Sequence, residues 1–182
     1  MTPFNNFTIK AQEVLKKAHD LALERSNQQI EPTHLLAALV LQEEGIVEAI
    51  LEKLEVDVSA LADELLGVLD KLPKAGASLS AIGTLYLSQE LGRIMEQAHR
   101  EAGQMKDEFI STEHLFLALA EVPSRAREIL ARVRVNHENT IKVLSDLRGS
   151  QRITDPEPES KYNVLEKYAR NLTKLARQEE LD

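Results

Sequence analysis

The sequence predicts an all-α fold of two pseudo-symmetric four-helix repeats, followed by a linker and a carboxy-terminal helix. Three observations predict it. Phe7–Val40 can be laid on Leu87–Ala120 without a gap, with Ala18/Ala98, His19/His99, Ala22/Ala102, Ile30/Ile110, His34/His114, Leu35/Leu115, Ala38/Ala118 and Leu39/Leu119 identical. The apolar spacing inside both copies has helical period: Ala11, Val14, Leu15, Ala18 and Ala22 answer to Leu91, Ile94, Met95, Ala98 and Ala102. No alternating apolar–polar segment of strand length with β-branched enrichment competes with that reading. A duplicated unit sets two copies of one packing solution around a pseudo-twofold axis, and a groove between the copies is expected.

The elements follow in order. Thr8 is a suitable N-cap for a first helix reaching about Ser26, and Ser88 stands in the equivalent place of the second copy. The second helix of repeat one opens at Ile30-Glu31-Pro32-Thr33-His34-Leu35, where Pro32 at the first helical position loses nothing by lacking an N–H. Its counterpart, Ile110-Ser111-Thr112-Glu113-His114-Leu115, has Ser111 at the N-cap and Glu113 in the first turn, where the helix dipole favours an acid. Ile30 and Ile110 are placed to pin the incoming loops to the core. Third helices are expected over Ile46–Leu54 and Ala126–Val133, and fourth helices over Ala60–Leu69 and Glu138–Leu147.

The repeats therefore occupy about 4–72 and 84–147 of a domain ending at 148, joined by Leu72–Ser78, which is rich in Pro, Gly and small residues. A second break from Arg148-Gly149-Ser150 to Pro156-Glu157-Pro158-Glu159 reads as a flexible interdomain linker, 149–161, because prolines and acids resist packing. Beyond it, Tyr162, Leu165, Tyr168, Ala169, Leu172, Leu175 and Ala176 form an apolar helical stripe with nothing of its own to pack against. The stretch 162–182 is expected to be the truncated start of a further module, cut from a longer protein.

Composition narrows the chemistry. Of 182 residues 43% are apolar, enough for a core, and aromatics are few, with no Trp. The absence of Cys removes disulfides, thiolate metal sites and Cys nucleophiles. The longest apolar run, Leu35–Leu41, is far too short to span a membrane, and no basic-then-apolar leader precedes Lys10. A cytoplasmic location is the expectation. The net charge of −8, with bases interleaved among acids as in Glu13–Lys17 and Arg125–Glu128, argues against a nucleic-acid partner.

No phosphate-cradling Gly-x-x-x-x-Gly-Lys-Ser/Thr element and no Gly-x-Ser-x-Gly elbow occurs. His19, His34, His99, His114 and His137 make no i, i+4 pair in a zinc-helix pattern, so no metal site is expected. His34 and His114 are expected in the first turn of the second helices, tying a ring nitrogen to a loop carbonyl; His19 and His99 receive no role. Glu43-Glu44 and Glu179-Glu180 are helical neighbours that diverge by about 100° and cannot face one another as acid and base. No catalytic residue is assigned.

Ile-Glu-Pro-Thr-His-Leu-Leu-Ala-Ala-Leu and Ile-Ser-Thr-Glu-His-Leu-Phe-Leu-Ala-Leu, doubled at one spacing over roughly 4–148, resemble the double Clp repeat of the Clp/heat-shock AAA+ unfoldases. Lys161–Ala176 is similar to the segment leading into the first ATPase module of ClpB-type disaggregases; the protease-coupled ClpA and ClpC types are the alternative. The resemblance implies a non-enzymatic substrate-docking domain tethered to a homohexameric ring that extracts aggregated or unfolded polypeptides with the DnaK system. ATP and Mg would belong to the ATPase modules, with no cofactor in this segment, which is expected to be monomeric. It also implies substrate-contacting positions in the inter-repeat groove, carried by matching motif onto Thr8, Asp107 and Glu113. Each has a local reading beside it: a helix cap, a loop residue and a first-turn acid. The alternative function is docking of a regulatory adaptor through a charged interface.

Overall fold

The computed structural model describes residues 6–75, 85–149 and 151–156. Repeat one contains α1 (Ile9–Glu24), α2 (Pro32–Leu41), α3 (Ile46–Lys53) and α4 (Val58–Asp70); repeat two contains α5 (Gln89–Gln104), α6 (Thr112–Glu121), α7 (Arg125–Arg132) and α8 (His137–Arg148). The eight helices lie where the sequence places them. The expected carboxy-terminal helix at 162–182 and the linker remainder 157–161 lie outside the described residues.

The caps explain the boundaries. Thr8 Oγ1 accepts from the Ala11 N–H (3.2 Å), and Ser88 Oγ accepts from the Leu91 N–H (3.1 Å). Both first helices end in the same glycine-free turn. Ser26 (φ 54°) and Lys106 (φ 59°) take the left-handed conformation. The next amides, of Asn27 and Asp107, reach back to the Ala22 and Ala102 carbonyls at 2.9 Å. That turn aims Asn27 and Asp107 at the start of the following helix.

α2 and α6 form the centre. Leu35–Leu39 and Leu115–Leu119 are at most 1% exposed, as an all-round apolar helix requires. Each packs on the first and last helix of its own repeat, and the two pack on each other across the pseudo-twofold axis. α3 in turn packs on α6 and α8, so the repeats share one continuous core.

Two short parallel pairings, absent from the sequence expectation, tie the repeats. β1 (Gln29–Ile30) pairs with β2 (Tyr86–Leu87), and Phe7 pairs with Ile110. In each case the segment entering one repeat's first helix lies on the loop before the other repeat's second helix. Thus Thr8 N–H donates to the Ile110 carbonyl and Ser88 N–H to the Ile30 carbonyl, both at 3.0 Å. Ile30 and Ile110 are buried, as expected of pins.

Residues 151–156, placed by the sequence in a flexible linker, run along the domain. Ile153 is buried, its N–H donates to Asp107 Oδ1 (2.9 Å), and its carbonyl accepts from the Glu108 N–H (2.8 Å). The packed chain extends to Pro156, whose carbonyl accepts from the Ile9 N–H at 2.9 Å. Hydrogen-bond partners in the loop outweigh the local composition, because the buried Ile153 makes seating the strand favourable.

Candidate functional site

Each second helix opens with a histidine capping motif. In repeat one, the Glu31 N–H donates to His34 Nδ1 (2.9 Å) and His34 Nε2 meets Asn27 Oδ1 (2.8 Å). In repeat two, the Ser111 N–H donates to His114 Nδ1 (2.8 Å) and His114 Nε2 meets Asp107 Oδ2 (2.7 Å). Since Nδ1 accepts from an amide, the ring proton belongs on Nε2. The histidines sit in the first turn as expected, but their ring partners are the N-cap amide and a side-chain oxygen, not a loop carbonyl. A helix start has amides to satisfy and no spare carbonyl there. Burial, and then the positive charge of Arg25, push the His34 pKa down to about 4, so the ring stays neutral.

Repeat two adds charge to this frame. Asp107 accepts from Arg148 Nη1 (2.9 Å) and Nη2 (2.7 Å), and Arg148 Nη2 also donates to the Gln151 carbonyl (2.9 Å). Glu113 lies 3.8 Å from Arg148 Nη1 and accepts from Ser111 Oγ at 2.9 Å. Burial alone would raise the Asp107 carboxyl. Hydrogen bonds from His114, Arg148 and the Ile153 N–H, with the guanidinium charge, outweigh it and hold the group well below the usual carboxylate range.

Ser111, His114 and Asp107 have the residue types of a hydrolytic relay, and the geometry assigns them another task. Ser111 Oγ donates a hydrogen bond to Glu113 while His114 Nδ1 already accepts from an amide, and Ser111 and His114 have no exposed surface. His114 Nδ1 also lies 3.1 Å from Ser111 Oγ, but the hydroxyl is sealed from solvent, where no substrate reaches it. Repeat one holds the same geometry with Glu31 and Asn27 in place of Ser111 and Asp107. Among the described residues, no group of three His, Cys, Asp or Glu side chains could hold a metal ion.

An accessible groove with a volume of about 660 Å³ lies between α1 and α5. Its floor is aliphatic: Leu15, Ile30, Leu35, Leu91 and Met95, extended by Ile9 and Leu87. Gln12, Glu13, Lys16 and His19 form a polar edge. Ile9 and Leu87 are 40% and 52% exposed, and Tyr86 beside them 64%, so a hydrophobic strip continues from the groove to the surface. An apolar floor with polar edges suits side chains of an extended polypeptide.

The three sequence-derived site residues do not line this groove. Thr8 and Glu113 are wholly buried, as is the Asp107 carboxylate. Asp107 and Glu113 are brought together around Arg148, and Thr8 is tied to the Ile110 loop between them through its N–H. Thr8 caps the helix that forms one wall of the groove. The sequence reading gave Ile9 and Leu87 no place in the groove and read Met95 only as part of the helical stripe, although Tyr86-Leu87 directly before the Ser88 cap was a signal of uncovered apolar surface.

Comparison with known proteins follows the same line. The profile of the Clp repeat (R) N-terminal domain matches residues 6–133. The chaperone protein ClpB of Rhodopirellula baltica is 38% identical over 178 residues, covering 98% of this chain and 20% of that protein. The chain spans about a fifth of the length of the curated relatives it matches. Among solved structures, the Hsp104 N-terminal domain from Candida albicans superposes with a TM-score of 0.75 at 22% identity, covering 85% of this chain and 99% of that one. A complex of a ClpV N-domain with a VipB peptide has the same fold, with a TM-score of 0.61 at 16% identity over 77% of this chain and 85% of that one.

Proposed function

Because the chain belongs to the Clp repeat N-terminal domain family, we propose that it is the polypeptide-docking module of a ClpB-type disaggregase. In this reading the groove between α1 and α5 takes hold of exposed apolar segments of unfolded or aggregated proteins. It hands them to an AAA+ ring carried by the rest of a longer chain, where ATP and Mg act, in cooperation with the DnaK system. The ring would be a homohexamer and the segment by itself a monomer.

The observation that carries the reading is the aliphatic floor of the groove with Ile9 and Leu87 left open to solvent beside it. The ClpV N-domain, solved with a peptide, supports a peptide as the kind of ligand this fold accepts. Such a groove binds by apolar burial and shape without reading a sequence, which suits a module that must release what it holds. A folded adaptor, the alternative partner, would call for a charged complementary face, and the groove floor has none.

Thr8, Asp107 and Glu113 act in this account through the frame. Thr8 fixes the start of the groove-forming helix, and the other two fix the loop against which that start is paired. The test is affinity for fluorescently labelled unfolded casein, comparing the parent chain with Leu87→Asp. A charge on the groove floor should weaken binding at least tenfold with helix content unchanged; equal affinity in a folded variant would overturn the reading.

A further inference from the structure

We infer that the Asp107–Arg148 pair is a clasp that holds the outgoing chain on the domain and delivers it, at Pro156, to the amino end of α1 beside the groove. Pseudo-symmetry carries the argument. Asn27 and Asp107 are equivalent, and the chain leaving the fourth helix of each repeat runs past them. In repeat one, Asn27 Nδ2 donates to the Pro73 carbonyl (3.4 Å) and the Ala75 N–H to the Ser26 carbonyl (2.6 Å). In repeat two, Ile153 of the outgoing chain donates its N–H to Asp107 and accepts from Glu108.

The two connectors face different mechanical demands. The first is fixed by a packed repeat on either side, so a neutral amide contact suffices. The second has a repeat only behind it, and there the chemistry changes: Asp replaces Asn, and Arg148 stands where repeat one has the buried Leu69. The result is a two-pronged, charge-assisted pair whose side chains are 6% and 0% exposed, reinforced by Arg148 Nη2 on the Gln151 carbonyl. Water and salt screen such a pair little. Buried Ile153 seats the strap, and the Pro156 carbonyl takes the first free amide of α1, at Ile9.

The strap therefore makes 151–156 part of the rigid domain. The point of departure lies at the groove wall, not at the end of α8, and the direction of the groove is fixed relative to the departing chain. Asp107 is a positioning residue for this strap. The inference stands whatever the groove binds.

Amide hydrogen exchange on the 182-residue chain tests it, with Asp107→Asn and Ile153→Ser. Both variants should speed exchange at Ile9, Glu108 and Ile153 at least tenfold, and hasten tryptic cleavage after Arg152. Leu35–Leu39 should stay within twofold of the parent. Unchanged exchange at the three amides in both variants would overturn the clasp. Should Asp107→Asn loosen α2 and α6 as well, Ile153→Ser decides alone, since it leaves the capping network intact.

Discussion

Asn27 and Asp107 stand in the same place in the two repeats, and each faces the Nε2 of the histidine seven residues later, at 2.8 and 2.7 Å. One contact is neutral; the other belongs to a buried ion cluster with Arg148. This difference separates a repeat that holds its departing chain by a neutral amide contact from one that holds it by a charged pair.

Asp107→Asn puts the first repeat's chemistry into the second. His114 keeps an oxygen partner, but Arg148 loses its two-pronged carboxylate and keeps the longer contact to Glu113 at 3.8 Å, which costs about 3 kcal/mol. Urea unfolding at neutral pH should show that loss, and adding Arg148→Met should restore part of it. A change below about 1 kcal/mol would mean that Arg148 finds other compensation.

Stability should fall as the solution is acidified. His34 has a folded pKa of about 4 against an unfolded value near 6.5, so its contribution is complete above pH 6.5. It is lost as pH falls through the window down to 4, at up to roughly 1.4 kcal/mol per pH unit. Asp107, held low, adds a further loss below the ordinary carboxylate range. Glu31, whose pKa burial raises, works in the opposite sense, favouring the fold at the acid end. His34→Gln should flatten the dependence of the urea midpoint between pH 6.5 and 4; an unaltered slope would reassign it.

The helix caps should be separable from the groove. Thr8→Ala removes the acceptor for the Ala11 N–H and is expected to cost about 1 kcal/mol, while Thr8→Ser should be nearly neutral. Thermal unfolding followed by circular dichroism distinguishes the two.

Leu39→Ala and Leu119→Ala should each cost roughly 2–5 kcal/mol, since both side chains are wholly buried in the central helices. Their pseudo-symmetric placement predicts similar losses in chemical denaturation. A soluble variant with parental stability would remove its leucine from the core.

Much of this architecture is legible in the chain because it is local. Pro32 and Ser111 mark helix starts, and Leu39 and Leu119 declare the buried face by their period. The pairings of Phe7 with Ile110 and Ile30 with Leu87 were hidden, because segments of one or two residues have no period to detect. The Asp107–Arg148 clasp was hidden for another reason: its members are 41 residues apart, and nothing in their spacing joins them. The traces were two changes between copies, Asn27 to Asp107 and Leu69 to Arg148. The groove was foreseen from the duplication, but its lining residues were not, since exposure of Ile9 and Leu87 depends on how α1 and α5 meet.

The most direct test of polypeptide docking is an NMR titration of the isotope-labelled chain with unfolded casein. Docking in the groove predicts shifts that cluster at Ile9, Leu15, Leu87, Leu91 and Met95 and saturate with concentration. Spectra that stay unmoved at high casein, or shifts confined to the opposite face around α3 and α8, would contradict the account.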